Sequence, residues 1–253
     1  MVFQYASDLH LEFPRNKAFL GTKPLAPKAD ILLLAGDIVP FAFMDDRLQD
    51  FFDYISDHFE QTYWLPGNHE YYHGDINMRS GKVYESIREN VQLVNNRAIE
   101  IKGIKLIFST LWTHINKSKT IVIENSLTDF RAVKHQGNPF TADDFNNLHK
   151  DCLTFIKDEL TSPFEGKTIV VSHHVPTLQH YPKKYLNSPI NEGFAVDLSS
   201  WITVHGPDYW IYGHHHHNPP QFQIGKTKML TNQLGYVERN EHGLFRKDKV
   251  VDI

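Results

Sequence analysis

The sequence predicts an α/β fold, and three of its features carry that expectation. Short unbroken apolar runs, of which residues 31–35 (ILLLA) are the clearest, have the composition of parallel strands buried on both faces. Two longer segments, residues 45–59 and 141–160, repeat apolar side chains at helical spacing. Polar residues able to bind metal or protons recur just after the apolar runs, where open α/β sheets hold their ligands. The length of 253 residues suits one large α/β domain or two small ones, and without internal repeats or a low-complexity linker a single domain over 1–253 is expected; a hydrophobic fraction of 41% is enough for a sizeable core.

Residues 2–7 form a first strand that runs into Asp8-Leu9-His10. On an extended chain Asp8 and His10 project to the same side. A Gly-, Pro- and Lys-rich connector, residues 17–28, leads to the second strand, which ends in Gly36-Asp37. The helix at 45–59 takes Asp45 or Asp46 as its cap and Leu48, Phe51, Phe52, Ile55 and Phe59 as its apolar stripe. A third strand, 62–65, precedes Pro66-Gly67-Asn68-His69-Glu70-Tyr71-Tyr72. Here Asn68 offers a neutral amide oxygen, and His69 could be a ligand or a proton donor.

Residues 83–90 read as a short helix, and residues 91–94, 98–101 and 105–109 as strands. Residues 113–137 lack clean periodicity and are expected to form a long insertion near the site. Within it Arg131 could contact a substrate phosphate, or form a surface salt bridge with Asp129 or Glu124. The helix over 141–160 carries Phe145, Leu148, Cys152, Phe155, Ile156 and Leu160 on one face. A strand at 167–171 then delivers Ser172-His173-His174. Residues 176–189, rich in Pro and Tyr, are a candidate substrate wall, and 193–204 read as helical. A strand ending at Tyr212 runs into Gly213-His214-His215-His216-His217; a hairpin over 222–230 and a strand at 249–253 follow.

A net charge of −4 and a pI near 6.5 do not suggest nucleic acid or an anionic membrane as the main partner. No charged n-region precedes an apolar stretch, and no run approaches ~18 apolar residues, so a cytoplasmic protein without a membrane partner is expected. Cys152 alone cannot form an internal disulfide, and its helical setting favours a buried thiol. The unusual count is 16 histidines. His214 and His216, one residue apart on a loop, can aim both rings at one locus.

The blocks Asp8-x-His10, Gly36-Asp37, Gly67-Asn68-His69-Glu70, His173 and Gly213-His214-x-His216 each follow a strand. In type and order they resemble the signature of the calcineurin-like metallophosphoesterase superfamily. The flanking text (SDLHLEF, PGNHE, VSHHVP) is similar to the small prokaryotic phosphoesterases of that group. The resemblance covers residues 8–216. It implies a four-layer α/β/β/α sandwich with two mixed sheets and a two-metal centre between loops at one edge. It further implies that Asp8, His10 and His216 hold one ion, that Asn68, His173 and His214 hold the other, and that Asp37 bridges them. Mixed N/O ligation without thiolate suits manganese, iron, zinc, cobalt or nickel better than calcium.

By the same resemblance His69 is the general acid at the leaving-group oxygen, Asp37 is catalytic through its bridging position, and Asn68 also reaches substrate. Glu70 or another acid could orient His69, and a salt bridge within the loop is the equal alternative for Glu70. His173 is preferred over His174 as the ligand because Ser172 matches the family's Thr/Ser-His pattern, and His215 and His217 are expected to play supporting or solvated roles. The implied activity is hydrolysis of a small phosphodiester or nucleotide by in-line attack of a metal-bridging hydroxide. Tyr71, Tyr72, Tyr181 and Tyr185 could stack on a base or serve packing alone. A phosphomonoesterase of the same fold and a protein-interaction scaffold are the rival readings; the complete ligand set argues against the scaffold.

Overall fold

Period-two alternation inside unbroken apolar runs builds both sheets of this protein. The computed structural model describes residues 1–44 and 49–253, so Asp45, Asp46 and Leu48, expected as cap and stripe residues, lie outside the described residues. In chain order the first strands are β1 (Val2–Ala6), β2 (Ile31–Ala35), β3 (Gln61–Leu65), β4 (Val83–Arg88), β5 (Val91–Asn95), β6 (Arg97–Ile101) and β7 (Ile104–Ser109). There follow β8 (Lys134–His135), β9 (Asn138–Pro139), β10 (Lys167–Ser172), β11 (Tyr209–Ile211), β12 (Phe222–Ile224), β13 (Thr227–Leu230) and β14 (Val250–Asp252). The α-helices are α1 (Pro14–Leu20), α2 (Gln49–His58), α3 (Thr120–Ser126), α4 (Asp129–Ala132), α5 (Ala142–Thr161) and α6 (Ser199–His205).

Two six-stranded mixed sheets result, ordered β14-β1-β2-β3-β5-β4 and β12-β13-β11-β10-β7-β6. In each, parallel strands occupy the centre and an antiparallel strand closes either edge. Phe3, Tyr5, Leu33, Tyr63 and Leu65 of one sheet meet Leu106, Phe108, Ile169, Val171 and Ile211 of the other in a shared core. The alternate residues face outward. Leu32, Leu34 and Trp64 pack on Phe51, Phe52 and Ile55 of α2, while Ile107, Val170 and Trp210 pack with Ile156 of α5 and Ile202 of α6. The architecture is therefore the expected four-layer α/β/β/α sandwich.

Three local expectations fail. Residues 83–90 are not helical: they form edge strand β4 and its turn, paired antiparallel with β5. Val83 and Ile87 pack inward while Tyr84 is 54% exposed, an alternation masked in the sequence by polar residues between them. A helix, α1, stands where a connector was expected. Pro14 is pre-set for a first helical turn, and the buried Asn16 side chain donates to the carbonyls of Leu9 and Gly235. Of residues 193–204 only the part from Ser199 is α-helical, because Val175 donates its N–H to the Phe194 carbonyl and accepts from the Val196 N–H, which pins Ala195 in a parallel bridge beside the chain leaving β10.

The aperiodic stretch 113–137 contains α3 and α4. Their Ile123, Leu127 and Phe130 join Trp112, Phe140, Phe145 and the buried Cys152 in a satellite aromatic core. Helix α5 begins at a capping box in which Thr141 and Asp144 exchange side-chain and backbone hydrogen bonds. No helix among the described residues is long and apolar enough to cross a membrane.

Candidate metal centre

The loops that leave β1, β2 and β3 in one sheet and β10 and β11 in the other converge at the C-terminal ends of the parallel strands. The convergence does not arise as the sequence suggested. Asp8 and His10 are not on extended chain; their φ angles are 55° and 47°. Asp37, His214 and His216 also lie in the left-handed region, at 54°, 78° and 48°. Non-glycine residues adopt such φ only at a cost, typically ~1–3 kcal/mol each, and such residues concentrate at functional sites. Each turn folds its side chain back over the sheet edge toward the same point.

Glycine is required beside these residues for a steric reason. A Cβ on Gly67 would overlap Asp37 Oδ1 and the His173 ring, and a Cβ on Gly213 would press on Asp8 and Ser7. Gly67→Ala is therefore expected to destabilise the protein by about 1–3 kcal/mol and to displace Asp37 and His173. Thermal melting and the Mn²⁺ content after reconstitution would check this; an unchanged content would contradict it.

The structure brings all seven predicted ligands together. His10 Nε2 and His216 Nε2 are 3.0 Å apart, with His216 Nε2 3.4 Å from Asp8 Oδ1 and His10 Nε2 3.7 Å from Asp37 Oδ2. On the other side of Asp37, His173 Nε2 lies 3.3 Å from Oδ1, 3.0 Å from His214 Nδ1 and 3.1 Å from Asn68 Oδ1. Asp37 thus belongs to both groups. The loops brace one another: the backbone N–H of His214 donates to Asp8, and that of His69 donates to Asp37.

The donor set fits a pair of cations. His173 Nδ1 donates to the Ala35 carbonyl, His10 Nδ1 to Glu12, and His216 Nδ1 to Glu241 at 2.7 Å. Each ring therefore turns its other nitrogen inward, where it meets carboxylate oxygens and other ring nitrogens rather than protein N–H donors. Such outer partners fix the tautomer of ligand histidines. His214 Nε2 is buried with no hydrogen-bond partner.

His69 is adjacent to this cluster. Its Nδ1 is 2.9 Å from Glu12 Oε1, its ring stacks on Tyr72 at 4.2 Å, and its Nε2 is 3.4 Å from the Tyr236 hydroxyl. Glu70 does not orient it. That carboxylate is buried and accepts from the backbone N–H groups of Asp37, Ile38 and Gly67 and from Trp64 Nε1, which ties two loops together. The acid in contact with His69 is Glu12, which sequence reasoning missed although it continues the two-residue spacing of Asp8 and His10. Glu241 and Tyr236 were also missed, and nothing local in the sequence marks them.

His174 packs its ring against His214 at 4.2 Å and against Trp112 but gives its Nδ1 to the Thr110 carbonyl and joins neither ligand group, and His215 pairs with Gln233 beneath Tyr181. Arg131 does not reach the site. It is exposed, donates to the Asn125 carbonyl and does not line the cavity, because Asp129 and Phe130 take the inward positions of the short α4.

Burial disfavours the charged form of every group here, yet specific partners reverse this for several of them. Asp37 lies well below the usual carboxylate range, because His173, His69 and His10 outweigh its burial. Burial pushes His173 down, but Asp37 raises it to about 9; Asp8 and Glu241 raise His216 to about 10. Without metal, protons on these rings meet the same demand for positive charge. A histidine raised above its ordinary value near ~6.5 contributes stability that is complete below that value and lost as pH rises through the raised one. Metal-free protein is therefore expected to lose thermal stability between about pH 7 and 10, while Mn²⁺-loaded protein holds it. Melting curves of both forms across that range would check this; parallel curves would contradict it.

Above the cluster opens a cavity of about 1000 Å³, lined by Asp37, Asn68, His69, His214 and His216 and walled by Leu127, Asp129, Tyr181, Tyr185, Ile190 and Phe194. Tyr181 and Tyr185 thus occupy the expected wall, and Tyr71 is buried in the satellite core.

Fold and site together define a metal-binding α/β protein whose chemistry sits at strand ends. Residues 1–218 match the model of the calcineurin-like phosphoesterase family, and the chain belongs to that family. An uncharacterized protein of Acanthamoeba polyphaga mimivirus is 33% identical over 278 aligned positions, covering 100% of this chain and 96% of its own length. Among solved structures, phosphopantetheinyl hydrolase from Mycobacterium tuberculosis shares the fold with a TM-score of 0.68 at 17% identity, covering 99% of this chain and 95% of that one. Family membership supports metal-dependent phosphoester hydrolysis and implies a dinuclear centre, for which the clustered Asp and His side chains are suited.

Proposed function

We propose that the protein hydrolyses small phosphodiesters. Asp8, His10 and His216 hold one divalent ion, Asn68, His173 and His214 a second, and Asp37 is shared. The observation that supports this reading is the convergence of these side chains, with the His69 imidazole beside them, at a single large cleft. Bound ions would supply Lewis acidity to activate water and positive charge to neutralise phosphoryl oxygens.

The chain's own contribution centres on His69. Glu12 accepts from Nδ1, which leaves Nε2 on the cleft side to give its proton to the leaving-group oxygen. Water is added across one P–O ester bond, yielding a phosphomonoester and an alcohol. Burial lowers His69's affinity for its proton, but Asp37, Glu12 and Asp129 together raise it above the ordinary value, which favours the acid form. Tyr72, stacked on the ring, holds its plane.

A diester suits the cleft better than a monoester. Beyond the ligands the lining carries the carboxylates of Glu12, Asp129, Glu238 and Glu241. Its arginines are exposed: Arg15 is 4.0 Å from Glu238, and Arg239 lies over the Tyr236 ring. Such a wall favours a singly charged phosphate over a dianion, and its aromatic and aliphatic side gives room for organic arms on both ester oxygens. A phosphopantetheinyl diester belongs among the substrates to be assayed, since a protein of the same fold is named for that group.

The test is turnover by metal-stripped protein, with and without added Mn²⁺, of bis-p-nitrophenyl phosphate and p-nitrophenyl phosphate. Metal-dependent turnover that prefers the diester is expected. Turnover of the monoester alone would overturn the substrate assignment, and turnover of neither with two ions bound would overturn the hydrolase reading.

A further inference from the structure

Asn68 differs from the other candidate ligands in that nothing in its own chemistry fixes which end of its side chain faces the metals. A carboxamide fits its space equally well after a half-turn, and only one orientation presents oxygen to a cation. In this protein Asn68 Oδ1 lies 3.1 Å from His173 Nε2, and Nδ2 donates to the Tyr72 hydroxyl at 3.2 Å. The Tyr72 hydroxyl has a single proton, and it gives that proton to Asp129 Oδ2 at 3.1 Å. The phenol oxygen therefore turns only lone pairs toward Asn68. A flipped carboxamide would set oxygen against oxygen at Tyr72 and would turn its N–H groups toward the metals.

We propose that Asp129 and Tyr72 are positioning residues: together they set the polarity of the Asn68 carboxamide and so select its oxygen as the metal ligand. This rests on the metal reading above. Tyr72 is 8% exposed, Asp129 5% and Asn68 3%, so the contacts are largely shielded although they border the cleft, and an unpaired buried polar group is costly. The polarity runs one way along the whole line, from N–H of Asn68 to O–H of Tyr72 to the carboxylate. Asp129 enters from the start of α4, in the segment between the Asn68 and His173 blocks. Tyr72 also stacks on His69, so one side chain touches both a ligand's amide and the proton donor.

The test is titration of metal-stripped wild type, Tyr72→Phe, Asp129→Ala and Asp129→Asn with Mn²⁺, read by calorimetry and by the electron paramagnetic resonance of the ion pair. Wild type is expected to bind two ions with a spin-coupled signal. Tyr72→Phe and Asp129→Ala should weaken one ion by about 10–100-fold, the usual effect of losing an outer-shell partner, and replace the coupled signal by that of isolated Mn²⁺. Asp129→Asn, whose own amide oxygen can accept from Tyr72, should retain wild-type binding. The double variant Tyr72→Phe/Asp129→Ala should be no weaker than Tyr72→Phe, since both act through one contact. Melting temperatures monitor folding, and the near-isosteric Tyr72→Phe decides the matter if Asp129→Ala does not fold. Two ions bound with wild-type affinity in both Tyr72→Phe and Asp129→Ala would overturn the positioning role alone. A wild type that binds fewer than two ions would overturn the metal reading, and this inference with it.

Discussion

Asp37→Asn is expected to lower diester turnover by about two to four powers of ten and to weaken both metal ions together. Removing one partner from a buried charged cluster costs roughly 3–5 kcal/mol, because the remaining charges lose their compensation; at ~1.4 kcal/mol per tenfold this sets the range. Asp37 is the residue for which the cost is shared, since its two oxygens face His10 and His173 separately. Asp8→Asn is the matched control: Asp8 contacts His216 and the His214 backbone but does not belong to the Asp37–His173–His214 group. Its loss should weaken one ion and spare the other. Mn²⁺ stoichiometry measured alongside turnover separates the cases, and loss of a single ion in Asp37→Asn would refute the shared role. The same variant carries a metal-free readout. Asp37 is the main partner that raises His173, so the His173 titration followed by NMR should move down toward its ordinary value.

The parallel core and the ligand blocks were legible because both obey local rules. β2 and β10 are buried on both faces and read as unbroken apolar runs, and the candidate ligands Asp37 and His173 sit where those runs stop. Edge strand β4 was not legible. Two of its six residues are exposed and none is fully buried, so it lacks the apolar run of a central strand, and β5 decides its conformation by pairing with it. Helix α1 was missed for a related reason: it is seven residues long and depends on the Asn16 contact to Gly235, far along the chain.

The outer partners of the site divide in the same way. Glu12 was in principle visible, since it continues the spacing of Asp8 and His10. Glu241 was not, because its contact with His216 exists only after the chain returns past β13. Glu241 and Tyr236 both lie beyond residues 1–218, the part that matches the family. All seven candidate ligands lie within the part that matches the family, while the C-terminal segment beyond it supplies part of what orients their rings. Glu70 shows the converse error. A carboxylate next to the candidate proton donor His69 in sequence suggests contact with it, but the turn after Asn68 sends Glu70 inward to bind backbone N–H groups.

His69→Ala is expected to retain both metal ions and to lose activity by an amount that depends on the leaving group. A positioned general acid is worth about 10²–10⁴-fold where the departing oxygen needs a proton. An alkoxide needs one at neutral pH, whereas p-nitrophenolate is stable without it, so the full loss should appear with alkyl diesters and a much smaller one with bis-p-nitrophenyl phosphate. The dependence separates two roles that simple inactivation would merge. If His69 acted chiefly as a fixed positive charge near the phosphate, its removal would slow both substrates alike. Glu12→Gln refines the distinction. It keeps the shape at the Nδ1 side but removes the carboxylate that helps raise His69's proton affinity, and it also disturbs His10. It should therefore weaken the ion held by Asp8, His10 and His216 while shifting the alkaline limb of the alkyl-diester profile to lower pH, because the acid form is then lost earlier. An equal loss on alkyl and nitrophenyl diesters in His69→Ala, with two ions bound, would rule out proton donation as its main contribution.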